Sequence, residues 1–498
     1  MTRHPFLRHL VIRADGAPRI GLGHIMRTLS IADALAATGA RITYLSRVLP
    51  DWAAAQVRGR GHDLHVLDLP WDATEVEDAA FCAPVVADAN AVLLDHYGLA
   101  QIWTAQIKDQ TGLPLAAMDD LAQDPRCVDL LIDPSPGRMA SDYDGLIPGT
   151  ALRLMGPDYA PLRPEFAMAA RDTTRADRFH VAVALGGSDP DGVTLTCLAA
   201  LAPLEGIDVT IILSSAAPAL DQVRAAVGAL GTRARLLLDC TDMAAVLSGV
   251  DLAIGAGGSS ALERCVLGLP SILLVLADNQ TFNAAALARA GAVVPCAADP
   301  DALRAEVLRL RDDAQARAAM ARAARALCDG LGAPRVALAL ATLGRSASLR
   351  PATAHDMARV HAWQSEPGAR RFARTPEVPD LDSHAAWFAR RLARPDPFYI
   401  VEDQGQPCGF VRLDQTDAAA PWEVSILIAQ AAQGRGLAHA ALGLLRLTHP
   451  KRHTTAHVHP ANTASQRLFS GAGYQRQAGD QFLSLGWAQK AAGDCDAN

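Results

Sequence analysis

Three glycine-rich turns and one histidine carry the chemistry legible in this chain of 498 residues. The turn with most detail is Gly255-Ala256-Gly257-Gly258-Ser259-Ser260-Ala261-Leu262-Glu263-Arg264. It follows an apolar run, Val250 to Ile254, that predicts a buried strand. It precedes Leu262 to Leu267, which predicts a helix stopped by Gly268-Leu269-Pro270. Strand, glycine turn and helix together leave free backbone N–H groups facing an anion. Gly257 and Gly258 let the backbone approach closely. Ser259 or Ser260 is placed to cap the helix and to donate to a phosphate oxygen. Glu263 stands on the first turn, where a carboxylate suits the helix dipole and can bind ribose hydroxyls. The spacing is not G-x-G-x-x-G, and no P-loop lysine follows. The turn therefore predicts a nucleotide-diphosphate cradle, but neither a dinucleotide fingerprint nor an ATPase; a tight turn without a ligand is the plainer alternative.

The histidine is His24. It ends the loop Asp15-Gly16-Ala17-Pro18-Arg19-Ile20-Gly21-Leu22-Gly23, between a strand over His9 to Ala14 and an amphipathic helix from Ile25 to Thr38. Open α/β sheets bind ligands at helix N-termini after the first strand, which puts His24 at a site mouth with Arg13, Asp15 and Arg27 near it. A capping or packing histidine is the competing reading. Polar groups also close other strands: Asp95-His96-Tyr97-Gly98, Gly186-Gly187-Ser188-Asp189-Pro190 and Ala277-Asp278-Asn279-Gln280. Asp119-Asp120 looks like a metal pair, but no histidine or third carboxylate stands at ligand spacing. It predicts a loop or cap, and no metal is expected.

The elements that position these groups alternate. Strands are predicted at Ile42–Ser46, Asp63–Asp68, Ala91–Asp95, Leu115–Met118, Leu130–Ile132, His180–Leu185, Val209–Leu213, Ala234–Leu238 and Ser271–Val275, with a helix at Thr74–Ala87. A helical stretch over Pro300–Leu343 closes this part. Residues 157–178, with Pro157, Pro161 and Pro164, predict a crossing between two βα halves that face each other across a cleft. The composition changes after Gly344. Helices are predicted at Ala354–Gln364 and Ser383–Arg391. An antiparallel pair, Phe398–Glu402 and Cys408–Leu413, turns at Asp403-Gln404-Gly405. A strand over Glu423–Ile428 runs into Gln433-Gly434-Arg435-Gly436-Leu437-Ala438 and a helix to Thr448. A strand at Thr454–Val458 and a helix ending at Gly471 or Gly473 follow, then a disordered tail after Trp487.

Composition excludes several classes. The length requires two to four domains. A net charge of −7 argues against a general nucleic-acid binder, whose phosphate contacts need a basic face. Nine scattered cysteines without C-x-x-C predict reduced thiols. No secretory leader and no run of roughly 20 apolar residues is present, so a soluble cytoplasmic chain with no membrane partner is expected. The oligomeric state is not legible.

Two resemblances emerge from these motifs. Residues 9 to about 340 resemble the UDP-sugar hydrolases of pseudaminic acid biosynthesis, which have the GT-B glycosyltransferase fold. The matching residues are Arg13-Ala14-Asp15, Ile20 to Arg27, Asp95 to Leu99, Tyr159 to Phe166, Leu185 to Asp189, Gly255 to Pro270 and Ala277 to Gln280. Residues 349 to 486 resemble GNAT N-acetyltransferases, with Gln433, Gly436 and Ala438 filling the acetyl-CoA motif Q-x-x-G-x-A and Asn462 and Ser465 downstream. The fold expected is thus α/β: a first Rossmann-like lobe (1–165), a second lobe for UDP (166–345), a GNAT domain (349–487) and a tail (488–498).

The resemblance implies inverting C–O cleavage of UDP-2,4-diacetamido-2,4,6-trideoxy-β-L-altropyranose without a metal. His24 would be the general base, and Asp15 would orient it or bind sugar. Arg27 would lie near phosphate. The backbone at Gly257 to Ser260 would hold the diphosphate and Glu263 the ribose. Tyr97 and Asn279 would contact the sugar, with Arg13, Gly21, Gly23, His96 and Gln280 in the same substrate site. Gly187 and Ser188 would hold the nucleotide or only turn the chain. In the GNAT half, Gly434 to Ala438 would meet the CoA pyrophosphate, joined by Gln433, Asn462 and Ser465, and the backbone of Leu427 and Ile428 would meet the pantetheine arm. The substrate implied for that half is the 4-amino precursor of the same UDP-sugar. The position where many GNAT enzymes carry a general-acid tyrosine holds Phe469, with Tyr474 or Ser470 as substitutes, and Glu423 is a candidate base. The rival is a GT-B glycosyltransferase whose GNAT-like half binds CoA or a partner without catalysis.

Overall fold

The computed structural model describes residues 7–16, 23–171, 178–186, 189–343, 347–415, 417, 420–477, 479 and 481–484. Gly21, Gly187, Ser188 and the tail 488–498 lie outside the described residues. The chain divides into two compact units, His9–Ala337 and one built on Leu338 onward.

The first unit holds two parallel sheets. One consists of β1 (His9–Ala14), β2 (Arg41–Ser46), β3 (Asp63–Val66), β4 (Ala91–Asp95), β5 (Leu115–Met118), β6 (Leu130–Asp133) and β7 (Leu152–Met155), in the order β3-β2-β1-β4-β5-β6-β7. Strands β1 and β4 are buried along their whole length, as expected where helices cover both faces of a parallel sheet. The order reverses between β1 and β4, so the crevice beyond their C-terminal ends is the position for a ligand. Asp15 follows β1, Asp95 ends β4, and the helix Gly23–Ala36 starts there.

The second sheet repeats the plan. It consists of β8 (Phe179–Ala184), β9 (Ile207–Leu213), β10 (Ala234–Leu238), β11 (Leu252–Ala256), β12 (Ser271–Leu274) and β13 (Val294–Pro295), in the order β10-β9-β8-β11-β12-β13. Its reversal lies between β8 and β11, and the glycine turn after β11 opens the helix Ser260–Leu267 there. Ala160 and Leu162 leave the first sheet and pack with Ala261, Leu262 and Cys265 of that helix.

The expected helix over Pro300–Leu343 is three helices, Pro300–Asp312, Ala314–Leu327 and Gly332–Thr342. Asp313 breaks the first by accepting from Ala316 N as a cap. Gly330, at φ +78°, turns the chain before the third.

The second unit carries a mixed sheet of β14 (Ala347–Pro351), β15 (Phe398–Asp403), β16 (Gln406–Asp414), β17 (Trp422–Ile428), β18 (Thr454–His457), β19 (Gln475–Arg476) and β20 (Gln481–Ser484), in the order β14-β15-β16-β17-β18-β20-β19. Strand β17 pairs fully with β16. It pairs with β18 only at Trp422↔Thr454 and Glu423↔Thr455. Beyond Glu423 the two parallel strands part, leaving the β17 edge open toward Ile428. Helix Leu437–Thr448 buries Leu437, Ala440, Ala441, Leu444 and Leu445 on one face, and helix Thr463–Gly471 buries Phe469.

Candidate functional site

An open cleft lies between the two parallel-sheet lobes. The first lobe lines it with Gly23, Met26, Arg27 and Asp120, and the second with Gly257, Gly258, Ser259, Leu262 and Glu263.

At the first wall, Asp95 is fully buried and accepts from His24 Nδ1 at 2.6 Å. It also accepts from Arg27 Nη2 at 2.6 Å and Nε at 2.7 Å. Burial pushes the Asp95 carboxyl up, but the charges and hydrogen bonds of Arg27 and His24 outweigh it and hold it well below the usual carboxylate range. An ionised carboxylate only accepts, so His24 Nδ1 carries a proton toward it and the basic lone pair is on Nε2. Arg27 Nη2 also approaches Nδ1, at 3.2 Å, but the shorter carboxylate contact decides the tautomer. Arg27 Nη1 and Tyr97 Oη both donate to Asp120 Oδ2 at 3.2 Å, and the Tyr97 ring stands edge-on to His24 at 4.6 Å. His24 and Tyr97 thus connect to the cleft wall through Arg27 and Asp120.

Three expectations change here. Arg13 does not reach the cleft: it is fully buried, bonded to Asp15 (2.6 and 3.0 Å) and Asp78 (2.8 and 3.1 Å). Asp15 does not orient His24, because Asp95 does. Asp15 instead accepts from Arg13, Ser46 Oγ and Arg47 N, and its Oδ2 lies 3.2 Å from His96 Nε2. Both His96 nitrogens are committed, since Gly98 N donates to Nδ1 at 2.9 Å. Arg13, Asp15 and His96 therefore form a buried ionic knot that fixes the ends of β1 and β4, not a substrate surface. Asp119 behaves as the loop cap expected of it, accepting from the backbone of Asp120, Leu121 and Ala122. No group of three metal-ligating side chains occurs among the described residues.

At the second wall, helix Ser260–Leu267 begins with no side-chain cap, so neither Ser259 nor Ser260 fills that role. Ser260 Oγ accepts instead from Arg264 Nη1 at 3.3 Å. Arg264 is buried under the turn and also donates to Ala256 O at 2.9 Å. A Cβ on Gly255 would lie 2.5 Å from that guanidinium, which explains why the turn starts with glycine. Burial lowers the Arg264 pKa, outweighing the opposing charges of Cys265 and Glu263. Gln280 Oε1 accepts from Gly257 N at 3.2 Å, so this N–H of the turn already has a partner. Glu263 receives both Nε and Nη2 of Arg163, at 3.0 and 3.1 Å. Asn279 is exposed in a short 3-10 turn and is not part of the cleft lining.

In the GNAT-like half, Gly434 and Gly436 have φ of +76° and +77°, a region that favours glycine. They form an exposed turn with Gln433 and Arg435 ahead of Leu437, Ala438 and the helix N-terminus. Gln433 Nε2 donates to Ile428 O at 3.0 Å, and Arg435 pairs with Asp403. Leu427 and Ile428 end β17 on its open edge. Asn462 Oδ1 caps the next helix by accepting from Ser465 N at 3.1 Å. Phe469 is buried edge-on against Tyr474 at 5.0 Å, and Tyr474 is itself buried with its hydroxyl 2.9 Å from Thr454 Oγ1. Tyr474 is thus committed to the core, while Ser470 is exposed.

Asp95, Asp120 and Arg163 carry much of this geometry; the sequence reading assigns no role to Asp95 or Arg163 and only a loop or cap to Asp120. Asp95 had a usable signal, as a carboxylate at the end of the strand beside the sheet's reversal point. Arg163 lies in a proline-rich stretch and had none.

The fold and sites define a GT-B unit followed by a GNAT domain. Residues 347–475 match the model of the acetyltransferase (GNAT) domain, and residues 196–332 that of the glycosyltransferase family 28 C-terminal domain. The spore coat polysaccharide biosynthesis protein SpsG of Bacillus subtilis is 26% identical over 348 residues, 67% of this chain and 98% of that one. The UDP-2,4-diacetamido-2,4,6-trideoxy-beta-L-altropyranose hydrolase of Campylobacter jejuni is 24% identical over 286 residues, 57% of this chain and 97% of that one. In fold, the chain is similar to the crystal structure of Acinetobacter baumannii MurG, with a TM-score of 0.50 at 17% identity, over 68% of this chain and all of that one. Among the described residues, no helix is long and apolar enough to cross a membrane.

Proposed function

We propose that this chain performs two consecutive steps on one cytoplasmic UDP-sugar. The GNAT half acetylates the 4-amino precursor from acetyl-CoA. The GT-B half then hydrolyses UDP from the resulting 2,4-diacetamido-2,4,6-trideoxy-β-L-altropyranose. The similarity to the Campylobacter hydrolase and the fused GNAT domain support a UDP-sugar-acting half joined to an acetyltransferase half.

The observation that carries the hydrolase reading is the His24–Asp95 pair, which adjoins the cleft through the lining residues Gly23 and Arg27, opposite the lining glycine turn. Asp95 fixes the tautomer, and His24 Nε2 takes a proton from water as its oxygen attacks the anomeric carbon. The bond from that carbon to the diphosphate oxygen breaks, and UDP carries away the electron pair. The N–H groups at Gly258 to Ser260, and at Gly257 once Gln280 is displaced, meet the charge developing on the diphosphate. Glu263 holds the ribose while Arg163 fixes its carboxylate. Tyr97, edge-on to His24 and bonded to Asp120, contacts the sugar.

In the GNAT half, the open β17 edge and the Gly434–Gly436 turn fit an extended pantetheine arm and a pyrophosphate. Acetyl-CoA supplies the activated acetyl group. Glu423 takes a proton from the incoming ammonium.

The test is His24→Asn. UDP binding should persist while UDP release falls by about 10²–10⁴, the usual cost of losing a general base. Hydrolysis near the wild-type rate would exclude His24 as the base.

A further inference from the structure

The connector between helices Met357–Ser365 and Leu381–Leu392 carries the run Arg370-Arg371-Phe372-Ala373-Arg374. It spans both lips of the opening between β17 and β18. On one side Arg374 Nη2 reaches Glu423 Oε1 of β17 at 2.8 Å. On the other, the Phe372 ring lies 5.3 Å from that of His459, which follows β18. Arg370 is fixed by Thr375 O and Gln364 Oε1, at 2.6 and 3.4 Å. Arg371 and Arg374 are exposed, the Arg374 side chain by 68%. Arg412, on β16 beside this face, lies over the Trp387 ring with its Nε 3.2 Å from Asp414. Arg370, Arg374 and Arg412 therefore lie near Glu423, where β17 and β18 part; Arg374 holds that carboxylate, and Arg371 is exposed on the same run over the Phe372 ring.

We propose that Arg371, Arg374 and Arg412 form a subsite for the diphosphate of the acetyl acceptor, distinct from the Gly434–Ala438 turn and resting on the acetylation step proposed above. An exposed ion pair such as Arg374–Glu423 is weak in water. A diphosphate offers the guanidinium stronger, charge-assisted bonds and displaces the carboxylate. Glu423 is then released beside the acceptor's ammonium, so the base becomes free only when a nucleotide-linked amine is bound. One ammonium proton passes to Glu423, and the nitrogen attacks the thioester carbonyl. The C–S bond breaks, and the departing thiolate takes up the amine's second surplus proton.

The experiment uses the full chain and its Arg371→Ala, Arg374→Ala and double variants. Acetylation of a UDP-linked 4-amino sugar is compared with that of the same amino sugar without nucleotide. Each single variant should raise the acceptor KM by about 10-fold, and the double by about 100-fold, from loss of charged hydrogen bonds. The acetyl-CoA KM should not move, which also reports an intact fold. The nucleotide-free sugar should be a poor acceptor that the variants do not worsen. An unchanged KM for the UDP-linked amine, or equal use of the nucleotide-free sugar, overturns the subsite. If the UDP-linked amine is no substrate at all, the acetylation step fails separately. UDP inhibition, read with any amine the domain does accept, then decides the subsite. Inhibition weakened at least 10-fold in the double variant supports it, and unchanged inhibition overturns it.

Discussion

Replacing Asp95 with asparagine probes the core of the proposed hydrolytic site. The carboxylate accepts at 2.6 Å from His24 Nδ1 and at 2.6 and 2.7 Å from Arg27. Losing one charged hydrogen bond costs about 1.5–3 kcal/mol, roughly 10- to 100-fold in rate. A larger effect is expected, because the new amide can turn its NH₂ toward Nδ1. That leaves Nδ1 as the acceptor and places the ring proton on Nε2, where the base must be empty. The loss should therefore reach the range for a missing general base, about 10²–10⁴ in kcat. Arg27 keeps Asp120 but loses its buried partner, so stability should also fall, by about 3–5 kcal/mol. The assay couples UDP release to a phosphate or nucleotide readout, with UDP binding by calorimetry and thermal unfolding as controls. A variant that is folded, binds UDP and loses less than about 5-fold would refute the dyad.

Gly255→Ala places a methyl 2.5 Å from the Arg264 guanidinium and should destabilise the first unit by about 1–3 kcal/mol, read as a lower Tm with weaker UDP binding. Asp15, Asp78 and Asp95 are buried carboxylates whose folded pKa values lie below the unfolded one, because the bonds and charges of Arg13, Arg27, His24 and His96 outweigh burial. Their stabilisation is complete above the unfolded value of about 3.9 and is lost as pH falls through the folded values, so denaturant midpoints should drop steeply below about pH 4. Gly436→Asp sets a carboxylate at a turn with φ +77°, and acetylation should vanish while hydrolysis of supplied diacetamido substrate continues.

The sheets were legible because β1, β4 and β11 each carry an apolar run, at residues 10–12, 91–94 and 252–256, and buried parallel strands require such runs. Strand β13 escaped because it is two residues long, and β7 because Arg153 interrupts its apolar residues. Helix Gln101–Thr111 escaped because it buries only Trp103, Thr104 and Ile107. The site was legible at the level of its motifs but not of its pairings. His24 and the glycine turn were identifiable from their place after a strand. That Asp95 rather than Asp15 holds His24 depends on β1 and β4 being neighbours, a long-range fact that local spacing does not contain. The Arg163–Glu263 pair joins residues 100 apart in sequence and was hidden for the same reason.

The measurement that tests the two-step account most directly is UDP release from UDP-4-amino-4,6-dideoxy-β-L-AltNAc by the intact protein, with and without acetyl-CoA, the products being followed by mass and NMR. The account predicts that acetyl-CoA is required for rapid release and that the diacetamido UDP-sugar appears before free UDP. Without acetyl-CoA, the charged ammonium replaces an acetamido group in the cleft, and burying it unpaired opposes binding. Release that is equally fast with and without acetyl-CoA would contradict the account.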